Sequence, residues 1–418
     1  MARIDVTHVT SCHGAVQPES RMQLTTDALP QVSTEALPMP EARDEAWHTL
    51  GEHPLVEVED GYAATGRDFV ELVLKNPSVF SSKKAFDVLG SPVPLVPIAF
   101  DPPEQARYRR ILQPFFSPRV IKPLEADLRK QIADIIEPIA QRGRCEFVAE
   151  VASVFPTQVF LTLFGLPLDM RDQFIEWKNA VLNLSAAAGQ TTVDEAAQEG
   201  MLKAAELFMY LTELIQKRRG VPGDDVLSQV LNVEPRDALS DEEVIGLCFL
   251  FILAGLDTVM DSLGFGMQRL AENPDRRREI VEDPTLIPAA MEELLRLDPP
   301  APFIPRVTTE PTQVGAHTLP EGSRITSYLA VANRDETLFP NPYDMDFHRT
   351  ENRHITFGMG VHRCLGSHLA RLEMQVLYEE WHARIPNYHI TEGTTPHVHW
   401  PRGTVGLDSL YLTIGDPS

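Results

Sequence analysis

The stretch Phe357-Gly358-Met359-Gly360-Val361-His362-Arg363-Cys364-Leu365-Gly366 places one cysteine in a glycine-rich loop. Its glycines permit positive φ angles and the close approach of a flat ligand, and Phe357 can shield one side of the sulfur. The segment from Ser367 to Trp381 has helical periodicity, so the cysteine would lie beside a helix N-terminus that favours a thiolate. A shielded thiolate beside a flat surface is suited to bind haem iron as an axial ligand. The simpler interpretation of a lone cysteine is a small buried hydrophobe.

The spacing within the loop argues against that simpler interpretation. Phe357, Gly360, Cys364 and Gly366 match every fixed position of the pattern Phe-x-x-Gly-x-x-x-Cys-x-Gly. The loop therefore resembles the haem-ligand loop of the cytochrome P-450 family. The resemblance implies a mainly α-helical fold with a small β-rich part, in which haem b lies between a long central helix and the cysteine loop. Cys364 would be the axial ligand of the iron, and Phe357, Gly358 and Gly366 would lie against the cofactor.

The overall charge excludes two classes of partner. The chain has 60 Asp and Glu against 37 Lys and Arg, which gives a formal net charge of −23. Nucleic acids and anionic membrane surfaces attract clustered positive charge, so we expect neither as a partner. The four cysteines form no Cys-x-x-Cys pair, which argues against a zinc site or a disulfide framework and indicates a reducing compartment.

We expect a cytoplasmic protein. Residues 1–19 lack the basic and apolar regions of a signal peptide. The longest apolar run, Val244–Leu256, ends at Asp257, short of the roughly 20 residues that a membrane span requires. The resemblance correspondingly implies the bacterial soluble type, which takes its electrons from a ferredoxin and its reductase. We also expect a monomer.

Patterns along the chain predict an extended N-terminal segment at residues 1–40 and a single domain at residues 41–418. Alternation over Leu55–Thr65, broken by Asp60-Gly61, predicts a hairpin. Helical periodicity dominates beyond Glu104, and short strand-like runs return after Thr308. The longer predicted elements include helices over Pro118–Arg142, Val148–Phe164, Asp169–Ala186 and Val193–Arg219 and a strand over Gly406–Thr413.

A polar motif interrupts a long apolar segment. Ser240 and Glu243 have the spacing of a capping box, and Val244–Phe265 is apolar nearly all round, which predicts a helix buried through the middle of the protein. Within it, the run Ala254-Gly255-Leu256-Asp257-Thr258 places polar groups where they need partners. A purely structural explanation is that Thr258 donates to the Ala254 carbonyl and that Asp257 pairs with a basic side chain.

The same motif resembles the oxygen-binding groove of the cytochrome P-450 family. The resemblance implies that Ala254 and Gly255 leave room for O2 and substrate, that Thr258 hydrogen-bonds the bound oxygen, and that Asp257 helps relay protons to it. A relay is needed because O–O cleavage requires protons in a dry site. The acid–alcohol pair favours a monooxygenase over a peroxide-driven relative.

Glu293 and Arg296 lie three residues apart, on one face of a predicted helix at Pro288–Leu297. Such a pair is commonly a solvated surface ion pair of small energy. It also matches the Glu-x-x-Arg of the family, which implies a buried pair that supports the haem-ligand side. The family's third partner is an arginine, for which Arg334 and Arg349 are the candidates.

Four residues match family positions that neutralise the two haem propionates: Gln105, Arg109, Arg306 and His362. Gln105 and Arg109 lie on one helical face in Asp101-Pro102-Pro103-Glu104-Gln105, where many relatives have His in place of Gln. An amide can still donate to a carboxylate, although with less charge.

A group of arginines could form a basic island on the cysteine side of this acidic protein, where an acidic ferredoxin would dock. The alternative is that these arginines are ordinary solvated surface residues. The group comprises Arg107, Arg110, Arg119 and Arg363.

The resemblance thus implies a haem-thiolate monooxygenase that inserts one atom of O2 into a C–H bond of a small hydrophobic substrate, terpenoid or lipid-like. Two other functions remain open: a peroxide-driven haem-thiolate enzyme, and a non-catalytic haem or small-molecule binder. Family positions give the candidate substrate contacts, each of which could equally be plain core packing: Phe86, Val88, Leu95, Leu253, Phe303 and Ile304.

Overall fold

The computed structural model describes residues 28–40, 42–83, 85–86, 93–187, 195–400 and 403–415. Most of the predicted N-terminal segment and the candidate substrate contact Val88 lie outside these residues. Of the N-terminal segment, Gln31 forms a parallel bridge with Glu57, and the Val32 N–H donates to the Glu57 carbonyl oxygen (2.9 Å). This part of the segment therefore lies along the first strand.

Helices make up most of the described chain, in agreement with the predicted fold class. The α-helices are α1 (Arg43–Leu50), α2 (Arg67–Lys75), α3 (Glu104–Leu112), α4 (Pro118–Ile121), α5 (Glu125–Arg142), α6 (Val154–Leu163), α7 (Arg171–Ala187), α8 (Glu195–Arg218), α9 (Val226–Leu231), α10 (Asp241–Glu272), α11 (Pro274–Glu282), α12 (Ile287–Leu297), α13 (Leu329–Ala332) and α14 (Ser367–Arg384).

The strands of the described residues form four small sheets. They are β1 (Leu55–Val58), β2 (Gly61–Ala64), β3 (Phe80–Ser81), β4 (Arg144–Glu146), β5 (Phe303–Thr308), β6 (Thr312–Val314), β7 (His317–Leu319), β8 (Arg324–Tyr328), β9 (Tyr388–Ile390), β10 (His397–His399), β11 (Gly406–Ser409) and β12 (Tyr411–Ile414). The largest sheet has the order β1-β2-β8-β5-β3, in which only β2 and β8 are parallel. The others are β4-β12-β9, β10-β11 and β6-β7.

Helix α10, at 32 residues, is the element around which the core packs. The predicted capping box is present: the Ser240 hydroxyl accepts from the Glu243 N–H (3.1 Å) and the Glu243 carboxylate accepts from the Ser240 N–H (2.7 Å). Residues of α10 belong to both of the larger hydrophobic clusters. Its length and composition would suffice to cross a membrane, but its apolar residues are mostly buried against other elements, as in the core helix of a folded domain.

Several predicted elements were wrong in extent. The helix predicted over Pro118–Arg142 is divided by a 3₁₀ turn at Lys122–Leu124, where Pro123 has no N–H to continue the helical hydrogen bonds. The helix predicted over Val148–Phe164 begins as a wider π turn, with the Ser153 N–H donating to the Val148 carbonyl (2.8 Å). The predicted C-terminal strand is two strands, β11 and β12.

Candidate active site

The cysteine loop has the backbone geometry that its glycines predicted. Gly358 and Gly360 have φ angles of 66° and 65°, which residues with side chains rarely adopt. A side-chain carbon at Gly360 would also lie only 2.5 Å from the Leu74 carbonyl oxygen at the end of α2. The Cys364 N–H donates to the Phe357 carbonyl oxygen (2.8 Å), which closes the loop and fixes the position of the cysteine.

Two opposing influences act on the thiol of Cys364. The side chain is exposed to solvent, although many protein atoms lie around it. This burial raises the pKa of the thiol, outweighing the Gly366 N–H bond and the nearby arginines, which lower it. The predicted influence of the helix N-terminus is present in the Gly366 N–H bond, but burial has the larger effect on the pKa of the free thiol. A coordinated metal ion would deprotonate the thiol.

Three of the four predicted propionate partners converge near the cysteine. Burial lowers the pKa of His362 to about 4, and the positive charges of Arg306 and Arg109 add to this shift. Arg109 is close enough to Cys364 for their charges to interact, and its Nη1 donates to the Arg363 carbonyl (2.7 Å). Their contact with a propionate stays a prediction.

Arg306 is a buried cation at 2% exposure on β5. Its Nη1 donates to the Pro305 carbonyl (2.7 Å), and burial lowers the pKa of the guanidinium to about 10. In the described ranges no carboxylate lies within 4.0 Å of it to balance its charge. A buried cation in that state is well matched to an anionic ligand group.

The fourth predicted partner, Gln105, anchors the cysteine loop itself. Its side chain is buried on α3, and Nε2 donates to the Val361 carbonyl oxygen (2.6 Å). Together with Arg109, it binds two carbonyls of the loop from one helical face.

Two of the four arginines of the predicted basic island form ion pairs with acids of this chain. Arg107 pairs with Glu243 (2.9 Å), and Arg110 pairs with Asp237 (2.6 Å). Arg119 and Arg363 are exposed. The alternative of ordinary surface pairing thus describes the first two arginines.

The middle of α10 is exposed at two small residues that lie between buried ones. Ala254 and Gly255 are exposed, although Ile252 and Leu256 on either side are buried. A side-chain carbon built at Gly255 would meet no atom within 4 Å. On the cysteine side, Leu365 packs against the same cluster as Leu256. These small residues therefore leave open space beside the helix.

Both polar groups of the motif have structural partners. The Thr258 hydroxyl donates to the Ala254 carbonyl (2.7 Å), and Lys178 on α7 donates to Asp257 (2.7 Å). The side chains of Lys178 and Asp257 are only 2% and 5% exposed, so this is a buried ion pair. The structural explanation is thus realised, while the catalytic roles of Asp257 and Thr258 remain predictions.

The Glu293–Arg296 pair is completely buried, at 0% exposure for both side chains. Arg296 donates twice to Glu293, from Nε and Nη2 (2.8 Å each). Arg349 supplies the third member, with its Nε 2.9 Å from Glu293, whereas Arg334 pairs with Asp44 (2.6 Å). Of the two candidates, Arg349 is therefore the partner.

The candidate substrate contacts are distributed over three hydrophobic clusters. Phe86, Leu95 and Leu253 share one of them. Phe303 packs in a second, beside Tyr328, and Ile304 packs in a third. A side-chain carbon at Gly358 would lie 3.3 Å from Ile304, so Ile304 borders the cysteine loop. Their contact with a substrate remains a prediction.

Sequence reasoning missed Lys178, the partner of Asp257, and Asp261, one helical turn further along α10. Lys178 had no signal, since nothing local links α7 to α10. Asp261 did have one, as an acid within an apolar helix.

Comparison with known proteins identifies the family. The cytochrome P450 family model matches residues 65–380. A vitamin D(3) 25-hydroxylase from Pseudonocardia autotrophica is 32% identical over 336 residues, which cover 79% of this chain and 81% of the relative.

Two solved structures have the same fold over nearly the whole chain. P450BioI, in complex with an acyl carrier protein ligated to hexadec-9Z-enoic acid, gives a TM-score of 0.79 at 26% identity, covering 88% of this chain and 97% of that one. CYP109E1 from Bacillus megaterium, in complex with corticosterone, gives 0.78 at 25% identity, covering 88% and 96%.

The described residues fit the haem b that this family binds. Cys364 offers an exposed sulfur, Arg306 offers a buried cation that forms no ion pair within the described residues, and Gly255 leaves room on the central helix. The predicted fold class and cofactor are thus confirmed. The chain belongs to the cytochrome P450 family of haem-thiolate monooxygenases.

Proposed function

We propose that this chain hydroxylates a small hydrophobic molecule, terpenoid or lipid-like, with O2 and with electrons from a ferredoxin. The observation that carries the proposal is that the exposed Cys364 lies close to Arg109, which with Arg306 lies near His362. The acid–alcohol pair Asp257–Thr258 on the central helix adds to it. A haem held by these residues would supply oxygen activation and C–H oxidation.

The residues of this chain would do three things. Cys364 would bind the iron, while Arg109, Arg306 and His362 would bind and orient the propionates. Ala254 and Gly255 would leave space for oxygen and substrate. Thr258 would donate its hydroxyl proton towards the oxygen once its bond to the Ala254 carbonyl is released, and Asp257 would return a proton to that hydroxyl.

The substrate class is inferred from apolar side chains and from relatives. Phe86, Leu95 and Leu253 offer an apolar surface without charge. The three relatives named above act on or bind molecules of related character. One is a vitamin D(3) 25-hydroxylase, one is in complex with corticosterone, and one is in complex with an acyl carrier protein that carries a fatty acid. All these molecules have large apolar surfaces, which supports a hydrophobic substrate.

The redox partner is proposed to be an acidic ferredoxin in the cytoplasm, serving a monomeric enzyme. Because Arg107 and Arg110 are neutralised by acids, docking would depend mainly on Arg119 and Arg363. Electrostatic docking weakens as the salt concentration rises.

The deciding experiment is the absorption spectrum of the dithionite-reduced, CO-bound protein. A strongly red-shifted Soret band, lost in Cys364→Ser with haem still bound, is the expected result. A Soret band at the position typical of histidine ligation would overturn the proposal.

Turnover then separates the remaining alternatives. Product formed with ferredoxin, reductase and O2, and reduced in Thr258→Ala, supports the monooxygenase. Product formed with hydrogen peroxide alone, unchanged in Thr258→Ala, would instead show a peroxide-driven enzyme. If no substrate candidate gives product with either oxidant, a non-catalytic binder is the better description.

A further inference from the structure

Asp261 is a buried acid that the site described so far does not use. It lies on α10 one turn beyond Asp257 and is 1% exposed. Neither of its carboxyl oxygens has a hydrogen-bond partner in the described chain, although the Thr404 hydroxyl lies near enough to favour the charged form. A buried polar group without a partner is costly, so its presence calls for a reason.

The surroundings of Asp261 favour its neutral, protonated form. Burial raises the pKa of its carboxyl well above the ordinary value, and the charges of Asp257 and Asp408 raise it further. Thr404 and Lys178 act in the opposite direction but do not outweigh these effects. Burial and the neighbouring acids therefore favour the protonated form of Asp261, which lies one helical turn from a carboxylate held in an ion pair with Lys178.

Asp261 also neighbours His399, on the side of α10 that packs against β11. Helix α10 packs on β11, where Gly406 pairs with His399 of β10. A side-chain carbon at Gly406 would collide with Oδ1 of Asp261 and lie 2.9 Å from Cε1 of His399, so the two side chains are neighbours across Gly406.

Beyond His399, a further acid, Asp408, connects Asp261 to the solvent. His399 is 10% exposed, and its Nδ1 lies 3.2 Å from Asp408. Asp408 is 49% exposed and also contacts His397, which is 70% exposed. A row of titratable groups thus leads from the solvent to the acid of the oxygen groove, on the side of α10 that faces β11.

We propose that Asp261 is a proton carrier that supplies the Asp257 carboxylate with the proton that Asp257 then passes to Thr258. In that step the O–H bond of the Asp261 carboxyl breaks and an O–H bond forms on the Asp257 carboxylate. The charge left on Asp261 then takes a proton from the His399–Asp408 pair, which takes one from water. This inference rests on the proposed monooxygenase function, because it is that reaction that consumes protons.

The first test measures the proton and requires neither haem nor product. Infrared spectra should contain a carbonyl band of a buried protonated carboxyl that shifts in D2O and disappears in Asp261→Asn. Glu373 is a second buried acid whose pKa burial raises well above the ordinary value, so Glu373→Gln should remove a separate band. If Asp261→Asn removes no carbonyl band from the spectrum, the proposed role of Asp261 as a proton carrier is overturned, whatever the activity of the enzyme.

The second test measures turnover with ferredoxin, reductase and O2. Asp261→Asn keeps the size of the side chain but cannot pass on a proton, so the ratio of product to electrons consumed should fall about tenfold and the solvent isotope effect should rise. Asp261→Glu should restore part of the ratio, and Asp408→Asn should lower it less. The CO-bound Soret band should be the same in all variants, which controls for folding and haem binding.

Two outcomes of the second test count against the inference. It is overturned if Asp261→Asn keeps both the product ratio and the isotope effect of the unaltered chain. It is also overturned if Asp261→Glu is no better than Asp261→Asn, because that result indicates a packing role. A lack of product from the unaltered chain would count against the proposed function instead, and the infrared result would still decide whether Asp261 holds a proton.

Discussion

Replacing Glu293 by Gln should destabilise the fold far more than the same substitution at the adjacent Glu292. Glu293 accepts two hydrogen bonds from Arg296 and one each from Arg349 Nε (2.9 Å), the Asp346 N–H (3.0 Å) and Asn352 Nδ2 (3.1 Å). Although burial opposes ionisation, these partners hold the pKa of the Glu293 carboxyl below its usual value. The substitution would leave buried cations without their counter-ion.

The magnitude follows from burial. Removing one partner of a fully buried ion pair costs about 3–5 kcal/mol, because the other charge remains desolvated. Glu292 pairs with Arg371 (2.8 Å) and His354 (2.7 Å), but its side chain is 26% exposed. Solvent screening reduces the expected loss there to about 1 kcal/mol. The difference, about 2–4 kcal/mol, is roughly a 30- to 1000-fold change in the unfolding equilibrium.

The assay is urea unfolding of the two haem-loaded variants and the parent, followed by far-UV circular dichroism. Both substitutions are made on α12 and keep the side-chain volume, so they form a matched pair. Equal losses in the two variants would refute the reasoning that burial sets the cost. If Glu293→Gln yields no folded protein, Arg349→Gln should fold with an intermediate loss, because Arg296 still pairs with Glu293.

Three further predictions concern α10. Gly255→Val should leave the melting temperature nearly unchanged, because a side-chain carbon at this position meets open space, but it should weaken the spectral shift on substrate binding. Gly246→Ala is the control and should lower the melting temperature, because its side-chain carbon collides with the Pro94 carbonyl. Lys178→Met should cost about 3–5 kcal/mol in urea unfolding, and most of this should be recovered by adding Asp257→Asn. Burial raises the pKa of Asp261, so the stability that this carboxyl contributes is complete below the ordinary Asp pKa and is lost as the pH rises. Asn does not titrate, and the melting temperature of Asp261→Asn should therefore rise relative to that of the parent as the pH increases.

The sequence was most informative where local pattern determines structure. The capping box at Ser240 and Glu243 fixed the start of α10, and the Asp60-Gly61 signal placed the hairpin of β1 and β2. Likewise the glycines of the cysteine loop have the predicted positive φ angles. In each case the residues that decide the conformation are neighbours in the chain.

It was least informative where distant segments meet. Lys178 lies on a different helix from Asp257, and the choice between Arg334 and Arg349 as partner of Glu293 depends on how the segment after α13 folds back. Tertiary contacts of this kind leave no periodicity in the sequence. The extent to which burial raises the pKa of the free Cys364 thiol likewise depends on tertiary packing, whereas the opposing helix N-terminus is visible in the sequence.

Helix α3 makes contacts in two directions at once. Gln105 and Arg109 hold two carbonyls of the cysteine loop, while Arg107 and the Tyr108 hydroxyl both bind Glu243 at the first turn of α10 (2.9 and 2.7 Å). A nine-residue helix thus acts as a spacer between the loop that carries the sulfur and the helix that carries the oxygen groove. Because both sets of contacts are made by side chains of one short helix, a change in the length of any of them would alter the spacing between the cysteine loop and α10.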